Sequence, residues 1–141
     1  MPATAARSGM PGHFGIRVTE ADKDKLVGEL DVDDRHLNNS GRVHGGALAA
    51  FADDLGGAVA ALNVAPGFRT TTLESKTNIF RACPPGRLTG VTVPIHVGQR
   101  TIVLQTSIYR ADGKLAAMMI QTQMVLPRKS AEPKGEGSIG G

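Results

Sequence analysis

Asp53 stands nine residues after His44, and its i±3, i±4 and i±7 neighbours are Gly46, Ala49, Ala50, Gly56, Gly57 and Ala60. A solvated helix face would carry Lys, Glu, Arg or Gln, which hold helices well and satisfy water. This face carries none of them. Two consecutive glycines inside a helix cost roughly 1 kcal/mol each relative to alanine. Close approach of another backbone or of a ligand is the compensation that glycine permits. A carboxylate on so bare a face is partly desolvated, which suits it to act as a base or a nucleophile. Asp54 lies about 100° further round and points out of the same cleft. The alternative is that both acids simply solvate a glycine-loosened helix.

The densest polar cluster lies just upstream, from His36 through Leu37, Asn38, Asn39, Ser40, Gly41, Arg42, Val43 and His44 to Gly45 and Gly46. Placed before a helix, it offers free backbone N–H groups at the positive end of the helix dipole. Gly45 and Gly46 let a substrate oxygen approach those donors without a Cβ in the way, the requirement of an oxyanion hole. Asn38 and His44 are placed to orient a carbonyl or a water. A polar loop ending in an N-terminal cap explains the same residues without chemistry.

These groups need a scaffold, and the periodicity describes one. From Gly46 to Leu62 the larger apolar residues fall at 48, 51, 55, 59 and 62, within about an 80° arc at helical spacing. Elsewhere the pattern alternates, predicting strands over 14–18, 25–32, 70–81, 88–97, 101–110 and 115–126. Asp22-Lys23-Asp24, Gly98-Gln99-Arg100 and Asp112-Gly113 supply turns, the last a strong hairpin signal. Pro94 inside the fourth strand predicts an edge or a bulge there. Two strands, one helix and four strands make an α+β architecture with a largely antiparallel sheet. Residues 1–12 and 128–141 have tail composition, rich in Gly, Pro, Ser and charge.

Composition narrows the function. The 141 residues make one domain. The net charge of +3 divides unevenly. Glu20 to Asp34 holds seven acids and two lysines, whereas Leu55 to Leu126 holds seven basic residues and two acids. No three basic residues adjoin and aromatics are only 4%, which argues against nucleic acid; dispersed arginines suit a small anion such as a nucleotide phosphate. No apolar leader is present, and Asp53, Asp54 and the glycines argue against a membrane span. The single Cys83 excludes an internal disulfide and suits a reducing, cytoplasmic setting. Asp31, Asp33 and Asp34 lack the remaining calcium-loop ligands and glycine, and four dispersed His give no zinc spacing. No metal site and no cofactor are expected.

Taken together, His36-x-Asn38-x-x-Gly41-x-x-His44-Gly45-Gly46 followed by Asp53 resembles the hotdog-fold acyl-CoA thioesterases of the phenylacetate-degradation (PaaI-like) type. Thr72 to Arg81 and His96-Val97-Gly98-Gln99-Arg100 extend the likeness, which covers roughly residues 14–126. The resemblance implies a hotdog domain over 13–127, one long central helix wrapped by about six strands. It implies hydrolysis of an acyl- or aryl-CoA thioester to free acid and coenzyme A. Asp53 would be base or nucleophile, Gly45 the oxyanion donor, Asn38 the positioning amide and His44 chiefly a loop support. Gly46 and Glu74 fall beside the substrate in this likeness, with Glu74 close enough to Asp53 to raise its pKa. Arg81, Arg87 and Arg100, near strand ends and turns, are the candidates to meet the coenzyme's phosphates, with Arg100 beside Gly98 the first choice and ordinary surface charge an equal account of Arg81 and Arg87; Leu48, Phe51 and Phe80 suit the cleft wall. Homodimers, paired as dimers of dimers, are implied, with each site built from two chains. An enoyl-CoA hydratase or dehydratase, using His36 or His44 beside Asp53, and a non-catalytic acyl-CoA-binding module remain as alternatives.

Overall fold

The structure is a computed structural model, and it describes residues 7–129. In chain order the elements are α1 (Gly9–Phe14), β1 (Arg17–Ala21), β2 (Leu26–Asp31), a single 3-10 turn (Asp34–His36), α2 (Gly45–Leu62), β3 (Phe68–Ile79), β4 (Arg87–Val97), β5 (Thr101–Tyr109) and β6 (Leu115–Pro127). The strands form one sheet in the order β1-β2-β4-β5-β6-β3. Every neighbouring pair is antiparallel. This is the α+β hotdog arrangement, a long helix lying in the concave face of a six-stranded sheet.

The helix nests because the strands beneath it give way. Gly28 of β2 and Gly90 of β4 are directly paired. A Cβ on either would lie 2.6 Å or 2.4 Å from a Leu55 methyl. The glycine pair therefore opens the groove into which Leu55 and Phe51 sink, and both are fully buried. Each such side chain contributes about 1.5–3 kcal/mol by leaving water. Leu62, the last member of the apolar stripe, runs past the sheet and stays exposed. α2 is long and apolar enough by composition to cross a membrane, but its apolar stripe is the core of this domain.

The N-terminal segment departs from the sequence expectation and the bulge expected at Pro94 is present, each for a physical reason. Gly9–Phe14 forms a helix where a tail and the start of a strand were expected, and the first strand begins at Arg17 instead. Its glycines and proline are poor helix formers; tertiary contacts hold it. Gly15 closes it in the left-handed region at φ 79°, and the buried His36 ring hydrogen-bonds the Phe14 carbonyl at 2.8 Å. Pro94 lies in β4, an interior strand, and the register shifts between Pro94 and His96, as a residue without an N–H demands. Of the expected C-terminal tail, residues 130–141 lie outside the described residues, as do residues 1–6 of the N-terminal one.

At one end of the sheet β3 pairs with β6 alone. Ten of its twelve residues are exposed, an unusually open edge for a strand of this length. A bulge at Leu73 shifts its register. Opposite partners share a face of a sheet. Thr72 and Ser75 therefore face α2 with Gln123 and Gln121, while Glu74 faces away with Thr122.

Candidate active site

The loop before α2 is organised by Asn38. Its Oδ1 accepts from the backbone N–H groups of Ser40 at 2.9 Å and Arg42 at 3.1 Å. With the oxygen so committed, the Nδ2 donors are left for a ligand. His44 caps the helix, its Nδ1 accepting from Gly46 N–H at 2.8 Å. The His44 carbonyl takes the N–H groups of Ala47 and Leu48. Of the first helical donors, which have no partner inside a helix, Gly45 N–H alone has no acceptor among the described residues. The Gly46 N–H is spent on His44, which leaves Gly45 N–H as the open donor at this end of the helix. A glycine at 46 also avoids the His44 ring, whose Nδ1 lies 2.9 Å from where a Cβ would be.

His36, the alternative proton-transfer partner, is fully buried. Its Nδ1 accepts from Asp33 N–H at 3.0 Å, which leaves Nε2 as the donor to the Phe14 carbonyl. Both nitrogens tie α1 to the 3-10 turn. The ring is a structural rivet, not an acid or base beside Asp53.

Along α2 the two acids part company. Asp54 is gripped by both guanidinium nitrogens of Arg7, a residue that tail composition alone gave no reason to single out. Asp53 has no hydrogen-bond or ion-pair partner among the described residues. It is open to solvent in the single chain, yet enough protein crowds the carboxylate that desolvation raises its pKa, with the charge of Asp54 a smaller contribution. Glu74 makes no such contribution within the chain. It faces the other side of the sheet and accepts from Thr122 Oγ1 at 3.0 Å.

A cavity of about 500 Å³ opens at the N-terminus of α2, bounded by Asn38, Gly45, Leu48, Phe80, Arg81 and Cys83 among others. Arg81 is held there by donating to the Leu115 carbonyl at 2.6 Å. Leu48 and Phe80 reach the cavity, whereas Phe51 is sealed in the core instead. Burial pushes the Cys83 thiol up and leaves it a poor nucleophile. A second cavity, also about 500 Å³, lies at the opposite end of α2 between Asn63, Phe68, Gly98, Gln99 and Arg100. The acidic residues once weighed as a calcium loop are engaged elsewhere. Asp31 binds Arg17 and Arg87 at 2.9 Å, and Asp33 caps the 3-10 turn.

Comparison with known proteins bears on this geometry. Residues 40–117 match the thioesterase superfamily. The chain is 31% identical over 117 residues to the 1,4-dihydroxy-2-naphthoyl-CoA hydrolase of Escherichia coli, covering 83% of this chain and 86% of that protein. It is 32% identical over 102 residues to the proofreading thioesterase EntH of Cronobacter turicensis, covering 72% and 74%. The crystal structure of a mutant of thioesterase PA1618 from Pseudomonas aeruginosa superposes with a TM-score of 0.81 at 31% identity, over 84% of this chain and 86% of that one. The chain is therefore a member of the thioesterase superfamily, a hotdog-fold thioester hydrolase.

Proposed function

We propose that the protein hydrolyses an acyl- or aryl-coenzyme A thioester in a site shared by two copies of the chain. The observation that carries this is a separation. Gly45 N–H and Asp53 lie eight residues apart on one helix, about 12 Å along its axis. A carbonyl hydrogen-bonded to the first and attacked from the second needs both within about 3–3.5 Å of the reacting atoms. One chain cannot offer both to one thioester. Asp53 of one copy and Gly45 of another can.

Three features support a second copy. The open β3 edge offers unpaired backbone groups to another strand, with Leu73 52% exposed upon it. Ile79 and Phe80, 52% and 53% exposed, leave an apolar pair open at the strand's far end. Gly57, one turn beyond Asp53, has nothing within 4 Å of where its Cβ would be, so no contact inside the chain calls for glycine there. On the sheet's outward face Val93 and Ile120 flank Gln105 across β4, β5 and β6, a surface on which dimers would pair into tetramers. The lone buried Cys83 fits a cytoplasmic location.

In this reading Gly45 N–H polarises the carbonyl, and Asp53 attacks it or draws a proton from an attacking water. The new oxygen bonds to the carbonyl carbon, the C–S bond breaks, and the thiolate leaves with a proton that comes from water; where Asp53 itself attacks, a water then hydrolyses the mixed anhydride to free acid and restores the carboxylate. Asn38 Nδ2 steadies the carbonyl or the water. The Asp53 carboxylate and the Arg100 cavity lie about ten residues apart along α2, about 15 Å, which matches the span of an extended pantetheine arm and gives the phosphates a cation. No metal or redox cofactor enters the scheme.

Complementation tests the shared site. Asp53→Asn removes the base. Gly45→Pro removes the free N–H at the first helical position, where proline is favoured, and His44 already has the extended backbone that a following proline requires. Each homomer should lose thiol release from acyl-CoA by roughly 10²-fold or more. Co-refolded mixtures should recover up to about a quarter of wild-type activity, because half the dimers are mixed and each holds one intact site. No recovery, with both variants folded and dimeric, would place the whole site in one chain.

A further inference from the structure

Within one chain the cavity beside Gly45 carries charge of one sign, and in the shared site proposed above the other copy's Asp53 adds an acid only at the reacting carbonyl. Arg42 and Arg81 both line it, and no Asp or Glu does. Of this chain's ten arginines, Arg7, Arg17, Arg35, Arg87 and Arg110 pair with acids, and Arg42 and Arg81 are among the five that do not among the described residues. The Arg42 backbone is fixed through its N–H to Asn38 Oδ1 and its carbonyl to Asn38 N–H at 2.7 Å. Its side chain has no hydrogen-bond or ion-pair partner among the described residues. Arg81 spends one nitrogen on the Leu115 carbonyl, which steadies the guanidinium while its other N–H groups stay available. Behind the two cations the wall is apolar, formed by Leu48, Ile79 and Phe80.

The coenzyme's phosphates are the obvious anion, but they sit too far from the reacting carbon. The pantetheine arm is about four residues of extended chain in length, roughly 14 Å. A cavity of this volume is about 10 Å across, and it already contains the Gly45 donor. Cations sharing a small cavity with that donor face the acyl side of the thioester. An apolar wall with two guanidinium groups at its rim fits an apolar stem ending in a carboxylate, which a guanidinium binds through two parallel hydrogen bonds.

Building on the coenzyme A thioesterase reading above, we infer that the preferred acyl group is an ω-carboxyacyl group. Its terminal carboxylate is bound by Arg42 and Arg81, and its stem lies on Leu48, Ile79 and Phe80. Arg42 and Arg81 are then specificity-determining residues, and the expected product is a dicarboxylic acid.

Matched thioesters test this, for example adipoyl-CoA against hexanoyl-CoA and 4-carboxybenzoyl-CoA against benzoyl-CoA. The carboxylated member of each pair should show a kcat/KM at least about tenfold higher. Arg42→Gln should collapse the ratio and Arg42→Glu invert it. Arg87→Gln, which removes the same unit of charge from a distant surface network, should leave the ratio as it was and so control for overall charge. Equal rates within each pair, with hydrolysis intact, would overturn the carboxylate assignment and spare the thioesterase reading. Hydrolysis of no coenzyme A thioester would overturn that reading. The carboxylate assignment is still decided by calorimetry on Asp53→Asn, where the carboxylated ligand must bind more tightly than its neutral twin.

Discussion

Two adjacent aspartates on α2 have opposite fates, and the difference is one arginine. Arg7 neutralises Asp54, which leaves Asp53 as the unpaired carboxylate with a raised pKa. A folded-state pKa above the unfolded value means that ionising Asp53 costs the fold stability as pH rises through that pKa. Asp53→Asn should therefore raise thermal stability at neutral pH. The gain should vanish below the ordinary carboxylate range near pH 4, where Asp53 is protonated in both states. Turnover should move the other way, falling by roughly 10²–10⁴-fold. The wild-type acid limb of kcat/KM should lie above the ordinary carboxylate value, because in the proposed mechanism the ionised form is the active one. His44 belongs to a different class. Its visible work is capping Gly46, so His44→Ala should cost about 1 kcal/mol of stability in a denaturant titration, while His44→Asn, another capping residue, should restore much of it.

At the scale of elements, two neighbouring glycines in α2 have different reasons to be glycine. A Cβ at 56 would lie 1.9 Å from Gln121 Nε2. Gln121 is fully buried and bound through its Oε1 to Gln123 Nε2 at 2.6 Å, and Gln123 reaches Thr72 Oγ1 on β3 at 2.7 Å. This buried chain of amides joins the helix to the edge strand and cannot easily yield. Gly56→Ala should destabilise the fold by about 1–3 kcal/mol through overpacking. At Gly57 the single chain leaves open space, so Gly57→Ala should stabilise the helix by up to about 1 kcal/mol. If another copy or the substrate comes close at that point, the same variant should lower activity. Paired denaturation and turnover measurements on the two variants separate these cases. The sequence showed that both glycines needed a reason. Only Gln121, 65 residues away in the chain, showed that one reason lies inside the molecule.

For the whole molecule, the β3 edge is the feature left unfinished. Strands on the interior of this sheet have both sides paired, but β3 has one side bonded to β6 and the other free. Leu73→Lys places a charge at its bulge, a device by which natural sheets discourage edge pairing. The variant should shift the protein towards monomer in sedimentation at micromolar concentration and lower specific activity in parallel, with activity partly regained as concentration rises. A variant that becomes monomeric and keeps full activity would remove the need for a shared site.

Short-range patterns in the chain were enough to read the elements and the candidate chemistry. The 3.6-residue spacing of Leu48, Phe51, Leu55 and Val59 described α2, alternation and turn residues described β3 to β6, and the bare face around Asp53 marked a carboxylate without solvating neighbours. The motif from His36 to Gly46 marked the helix N-terminus within one residue. Pairings between distant residues emerged with the folded chain, because no local pattern encodes them. The fold turned the expected tail at 9–14 into a helix by fastening Phe14 to His36. It gave Asp54 to Arg7, left Gly45 as the free donor by giving Gly46 to His44, sent Glu74 to the far face through the bulge at Leu73, and buried Phe51 by pairing Gly28 with Gly90. A side chain's role depends on which partner reaches it first, and strand order and register set that reach.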